Sequence, residues 1–97
     1  MELIFLERSP ATRKELNDFV HLNFQVLILL FLSDAAKYLS TIKPEDLEAR
    51  NSKAGGEYGE FNLFGIPAIL EGREECLDGV NYIAIAALQK HFMDLEV

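Results

Sequence analysis

The spacing of apolar and polar positions divides the chain into seven elements. Leu3 to Leu6 is a short apolar run of strand length, bounded by Glu2 and Glu7. Ser9-Pro10 then starts a helix: serine at the N-cap accepts from orphan N–H groups, and proline at the first helical position has no N–H to waste. Leu16, Phe19, Val20 and Phe24 follow at helical spacing, with Arg13, Lys14, Glu15, Asn17 and Asp18 on the other face. This helix runs from Pro10 to about Leu22.

Gln25 to Leu32 carries no periodicity, and two readings fit it. Its continuous apolarity suits a central strand buried on both faces. Its leucine content suits a helix continuing from Pro10 to Ile42, which would make the chain an all-helical or mixed scaffold. We take it as a strand, with Asn23 ending the first helix in a left-handed conformation and Ser33-Asp34 capping the next. Ala35 to Ile42 reads as helix, and Lys43-Pro44-Glu45-Asp46 restarts or kinks it, with acids near a positive helix terminus. Asn51 to Glu60, with Gly55, Gly56 and Gly59, reads as a loop.

Ile66-Pro67-Ala68-Ile69-Leu70 reads as a third strand. Proline is confined to strand starts, edges and bulges because it cannot donate to a ladder. Gly72-Arg73 then reads as a hairpin turn and Glu74 to Leu77 as a fourth strand. Asp78 caps a last helix whose Val80, Ile83, Ala84, Ala87, Leu88 and Phe92 form a wide apolar face. The expected order is β-α-β-α-β-β-α in one domain spanning residues 1–97.

Composition narrows the function classes. The net charge is −7 and no basic cluster stands out, so nucleic acid is not an expected partner. The longest unbroken apolar run, Val26 to Leu32, falls well short of the roughly 20 residues a membrane helix needs. The N-terminus carries Glu2 where a signal peptide carries positive charge. A cytoplasmic protein with no membrane association is therefore expected. A single cysteine, Cys76, cannot form an internal disulfide, and it lies among Glu74, Glu75 and Asp78, a poor setting for a reactive thiolate. His21 and His91 have no second ligand at motif spacing, so no metal site is expected.

The element order, the length, Ser9-Pro10 after the first strand, Ile66-Pro67 and Asp78-Gly79 together resemble the thioredoxin superfamily, and within it the glutaredoxins and the N-terminal domain of glutathione transferases. The resemblance implies an α/β fold, a three-layer sandwich around a mixed central sheet, with a cis-proline at Pro67. It also implies a site at one end of the sheet built from Ser9, Arg13, Ile66, Pro67, Asp78 and Gly79. Glutaredoxins carry Cys-Pro-x-Cys at the first of these positions and some glutathione transferases carry Cys-Pro-x-Ala or use serine, whereas this chain reads Ser9-Pro10-Ala11-Thr12. Disulfide exchange requires a thiolate, so hydroxyls at Ser9 and Thr12 exclude dithiol oxidoreductase chemistry there.

Ser9 remains the one catalytic candidate, as a hydrogen-bond donor to the thiolate of glutathione, the only small ligand the resemblance implies. No resident cofactor is expected. The leading functional reading is a non-redox protein-binding module whose edge strands pair with a partner protein or a second copy. A glutathione-binding or transferase-like protein using Ser9 is the alternative.

Overall fold

A computed structural model describes residues 2–58, 61 and 63–93, and most of them are helical. The elements are α1 (Arg13–Leu22), α2 (Phe24–Leu39), α3 (Pro44–Tyr58), a 3-10 turn (Leu63–Gly65) and α4 (Ala68–Met93). There is no strand or sheet among the described residues, so the thioredoxin-like α/β sandwich is overturned. With it fall the glutaredoxin and glutathione transferase resemblance and the cis-proline expectation that rested on the sheet.

Each expected strand has a physical reason for being something else. Leu3 to Leu6 is extended but has no ladder partner. The run at 25–32 lies inside α2; four of its eight residues are leucine and only Val26 and Ile28 are β-branched, which favours helix over a parallel strand. Ile66 and Pro67 lead into α4, where the Pro67 carbonyl accepts from the Glu71 N–H at 3.0 Å. Proline therefore opens a helix here and begins no strand. Gly72-Arg73, Glu74 to Leu77 and Asp78 are interior to the same 26-residue helix, so there is neither a hairpin nor a cap at Asp78. The loop expected from Asn51 is helical through Tyr58, while Gly59 and Glu60 lie outside the described residues.

Helix starts follow local chemistry. At α1 the N-cap is Thr12, not Ser9: its hydroxyl accepts from the Glu15 N–H at 3.1 Å. Thr12-Arg13-Lys14-Glu15 is thus the threonine-x-x-glutamate pattern of a capping box. At α3, Pro44 takes the first helical position and the Asp46 carboxylate accepts from the Lys43 N–H at 2.8 Å. That restart is the one the Lys43-Pro44-Glu45-Asp46 sequence predicts.

The α1–α2 corner turns on Asn23. The two helices are bent by 86° at this residue. Its backbone, at φ −111° and ψ 20°, closes α1 by donating to the Phe19 carbonyl and opens α2 by accepting from the Leu27 N–H. These angles lie in the bridge region, not in the left-handed region expected from the sequence. The side chain, 3% exposed, accepts from the Ile4 N–H at 2.7 Å and donates to the carbonyls of Ile4 at 2.9 Å and Phe19 at 3.0 Å. The N-terminal segment is thereby strapped across the corner.

Behind the strap sits a small core of Phe19, Leu27, Ala84 and Leu88, closed by Leu3, Phe5, Leu16, Val80, Ile83 and Phe92 among others. Phe5 stacks on the His91 ring at 3.8 Å and 5°, and meets Phe19 at 5.7 Å and the edge of Phe92 at 6.2 Å. The apolar face expected on the last helix is the part of α4 that enters this core. Helix α2 packs against α4 and α1 against α2. At Gly79 the two helices are in close contact, and an added Cβ would overlap the Phe31 ring.

Below Gly79 the packing ends. All residues from Ala68 to Asp78 are exposed, as are the described side chains of α3 from Pro44 to Lys53. The radius of gyration is 16.7 Å, against about 13 Å for a compact chain of this length. The molecule is a three-helix core with a long helical arm.

The two glycines of α4 separate these regions experimentally. Gly72 has open space around its Cα, so Gly72→Ala should raise stability by about 0.5–1 kcal/mol, the helix-propensity gain alone. Gly79→Ala gains the same propensity but forces the half-buried Phe31 ring aside, for a net loss of about 1 kcal/mol or more. Urea-unfolding midpoints measure both. A Gly72→Ala protein that is destabilised would mean the residue turns the chain, as in a hairpin.

Asn23→Ala removes three side-chain hydrogen bonds and should cost about 2–4 kcal/mol. Asn23→Asp keeps the acceptor for Ile4 but faces two carbonyls. Burial there favours the neutral carboxyl, so its deficit against wild type should grow as pH rises above about 4, the unfolded carboxylate range. Chemical denaturation across pH reads this, and a pH-independent deficit would contradict the buried geometry.

Candidate functional site

The six residues expected to form one site are spread along the molecule. Ser9 and Arg13 line an open groove of about 470 Å³ between the segment preceding α1 and the C-terminal end of α4, with Leu16, Leu88 and Phe92 beneath. Ile66 and Pro67 lie at the opposite end of α4. At 1.5 Å rise per residue, Pro67 is about 27 Å along the helix axis from Ile85, the first α4 residue of the groove. Asp78 is exposed and Gly79 faces Phe31, about 10 Å short of Ile85 along the same axis. Convergence of these positions required a sheet, and without one the geometric argument for a glutathione site at Ser9, Pro67 and Asp78 is gone.

Other chemistry is sparse. No group of three or more His, Cys, Asp or Glu side chains is placed to hold a metal ion among the described residues. Cys76 is a free, exposed thiol on the arm. His91 is taken up by its stacking on Phe5 and its edge contact with Phe92 at 4.7 Å.

What the molecule does display is apolar surface. Between α3 and α4 the sequence Phe61-Asn62-Leu63-Phe64-Gly65-Ile66-Pro67-Ala68-Ile69-Leu70 has no charged residue. Phe61 is 79% and Phe64 97% exposed, and Leu63, Ile66, Ile69 and Leu70 are exposed with them. A phenylalanine almost wholly in water is unusual on a folded monomer, and several large apolar side chains on one segment mark an interaction surface. The fold positions this segment: the 3-10 turn and Pro67 redirect the chain into α4, whose first half projects beyond the core. Helix α2 shows a second such surface, with Leu29, Leu30, Leu32 and Leu39 exposed.

Sequence reasoning singled out Ile66 and Pro67 within this segment, but as the start of a buried strand. The signal for exposure was the surplus of apolar residues over what one short core can cover, and it requires knowing which faces pack. No single helix among the described residues is long and apolar enough to cross a membrane; α1 and α2 together meet that length and composition but are bent at Asn23. No protein family, curated protein or solved structure matches this chain.

The placement of the cap gives a direct test at Ser9. Ser9→Ala should leave stability within about 0.5 kcal/mol of wild type, since Ser9 is exposed and outside α1. Thr12→Ala should cost about 1 kcal/mol through loss of the cap. Thermal or urea denaturation of the pair distinguishes the two starts, and the reverse order would restore Ser9 as the cap.

Proposed function

We propose that this chain is a protein-interaction module whose working surface is the uncharged apolar segment at 61–70, presented at the tip of the helical arm. The observation that carries this reading is the exposure of Phe64 together with five apolar neighbours on a segment that contributes nothing to the core. Such side chains are anchors of the kind that dominate binding energy when a partner desolvates them. A rigid helix start lowers the ordering cost of binding, because Pro67 and the first turn of α4 are already formed. The acids that follow, Glu71, Glu74, Glu75 and Asp78, form the polar rim that such surfaces carry.

The test separates binding from folding. In dilute protein, Phe64→Ser and Leu70→Ser should leave helical circular dichroism and the melting temperature near wild type, because neither side chain is buried. The same changes should lower the fluorescence of bis-ANS bound to the chain, which reports accessible apolar surface. Destabilisation by about 2–5 kcal/mol, the range of a core truncation, would place these side chains inside the fold and overturn the reading.

A further inference from the structure

The interaction surface at 61–70 leaves its partner open, and the inference that follows rests on that reading. Two properties of the same chain narrow the choice. The first is area. The exposed surface is 8438 Å² for a mass of 11.0 kDa, about 2,800 Å² more than the roughly 5,600 Å² of a compact monomer of that mass. Permanent homodimers bury about 2,000–5,000 Å² in total, or about 1,000–2,500 Å² per copy. The excess is somewhat more than one copy of such a dimer buries, so a large interface with a second copy would cover most of it.

The second property is that the molecule carries a matching surface of its own. Residues 24–33 of α2 have no ionisable side chain, and neither do residues 61–70 of the arm. Leu29, Leu30 and Leu32 on α2 are exposed, on faces of the helix other than the one that carries the buried Leu27 and the half-buried Phe31. Two copies, each at −7, repel through their charged faces, but neither of these stretches contributes to that repulsion. The same negative charge opposes approach to an anionic lipid surface, and four acids follow the arm directly.

We propose that two copies of this chain form a symmetric dimer in which the arm residues 61–70 of each copy lie on the exposed α2 leucines of the other. The contact is isologous, so arm-on-α2 occurs twice. The core of each copy is unchanged, and the arm gains the neighbour it lacks within its own chain.

Sedimentation equilibrium on the full chain tests this. The expected mass is twice 11.0 kDa at high concentration, falling toward 11.0 kDa on dilution. Phe64→Glu on the arm and Leu32→Glu on α2 should each weaken the dimer by about tenfold or more while helical content is retained. Mixing the two variants should restore association beyond either alone, because one arm–α2 contact is then wild type on both sides. Failure of the mixture to associate better overturns the arm-on-α2 pairing.

A wild-type chain that stays at 11.0 kDa at every concentration overturns the dimer. If such a chain still binds bis-ANS in a Phe64-dependent way, the interaction-module reading survives without the dimer; if it does not, both fall. Phe64-dependent binding of the monomer to neutral phosphatidylcholine vesicles would assign the arm to lipid and overturn the proposal.

Discussion

The buried amide of Asn23 is the constraint on which the rest of this structure depends. It presents an acceptor and a donor to the Ile4 peptide, as a neighbouring strand would, and also donates to the Phe19 carbonyl of α1, which accepts from the Asn23 backbone N–H as well. Three consequences follow from one side chain. Helix α1 stops, α2 leaves at 86°, and the N-terminal segment is held where Phe5 can reach Phe19, His91 and Phe92. Any straight continuation from Arg13 to Leu39 would be a single long helix passing the length and composition test of a membrane span. The corner, not the composition, makes α1 and α2 two faces of one core.

That core is small because the corner gathers helices at one end only. Phe19 and Leu27 approach α4 near Ala84 and Leu88, and the antiparallel course of α2 then brings Phe31 to Gly79. A side chain on residue 79 would displace the Phe31 ring, so the absence of a Cβ there permits the contact. Beyond it α2 and α4 both continue with apolar residues and no mutual cover. The surface excess and the large radius of gyration are consequences of this early divergence.

How much of this was legible depended on the kind of signal. The face Val80, Ile83, Ala84, Leu88 and Phe92 could be read because a 3.6-residue period survives any tertiary arrangement. The restart at Lys43-Pro44 was legible because capping and proline act locally. The run at 25–32 was not, since an uninterrupted apolar stretch carries no period; only its leucine-to-β-branched ratio pointed to helix. Gly72 and Pro67 misled for a common reason. Each is a breaker by average behaviour, yet proline at a helix start is favourable, and one interior glycine costs only about 1 kcal/mol in a 26-residue helix.

The capping box at Thr12-x-x-Glu15 is legible in the sequence, but Ser9-Pro10 three residues earlier carries a start signal of its own. The apolar surface was harder still. Sequence gives the number of large apolar residues, but which of them meet water is set by where two helices part.

The same divergence grades stability along α4. Its C-terminal half is held by α2, the strap and the aromatic cluster at Phe5, whereas every residue from Ala68 to Asp78 is exposed, with Gly72 in the middle. Regions with few buried contacts open at lower free energy than the core they extend from. An isolated stretch of eleven residues is also near the shortest length at which helix is stable in water. The arm is therefore the part of the fold whose order responds most to being covered. Binding there would stabilise a helix that is already formed as well as bury apolar surface.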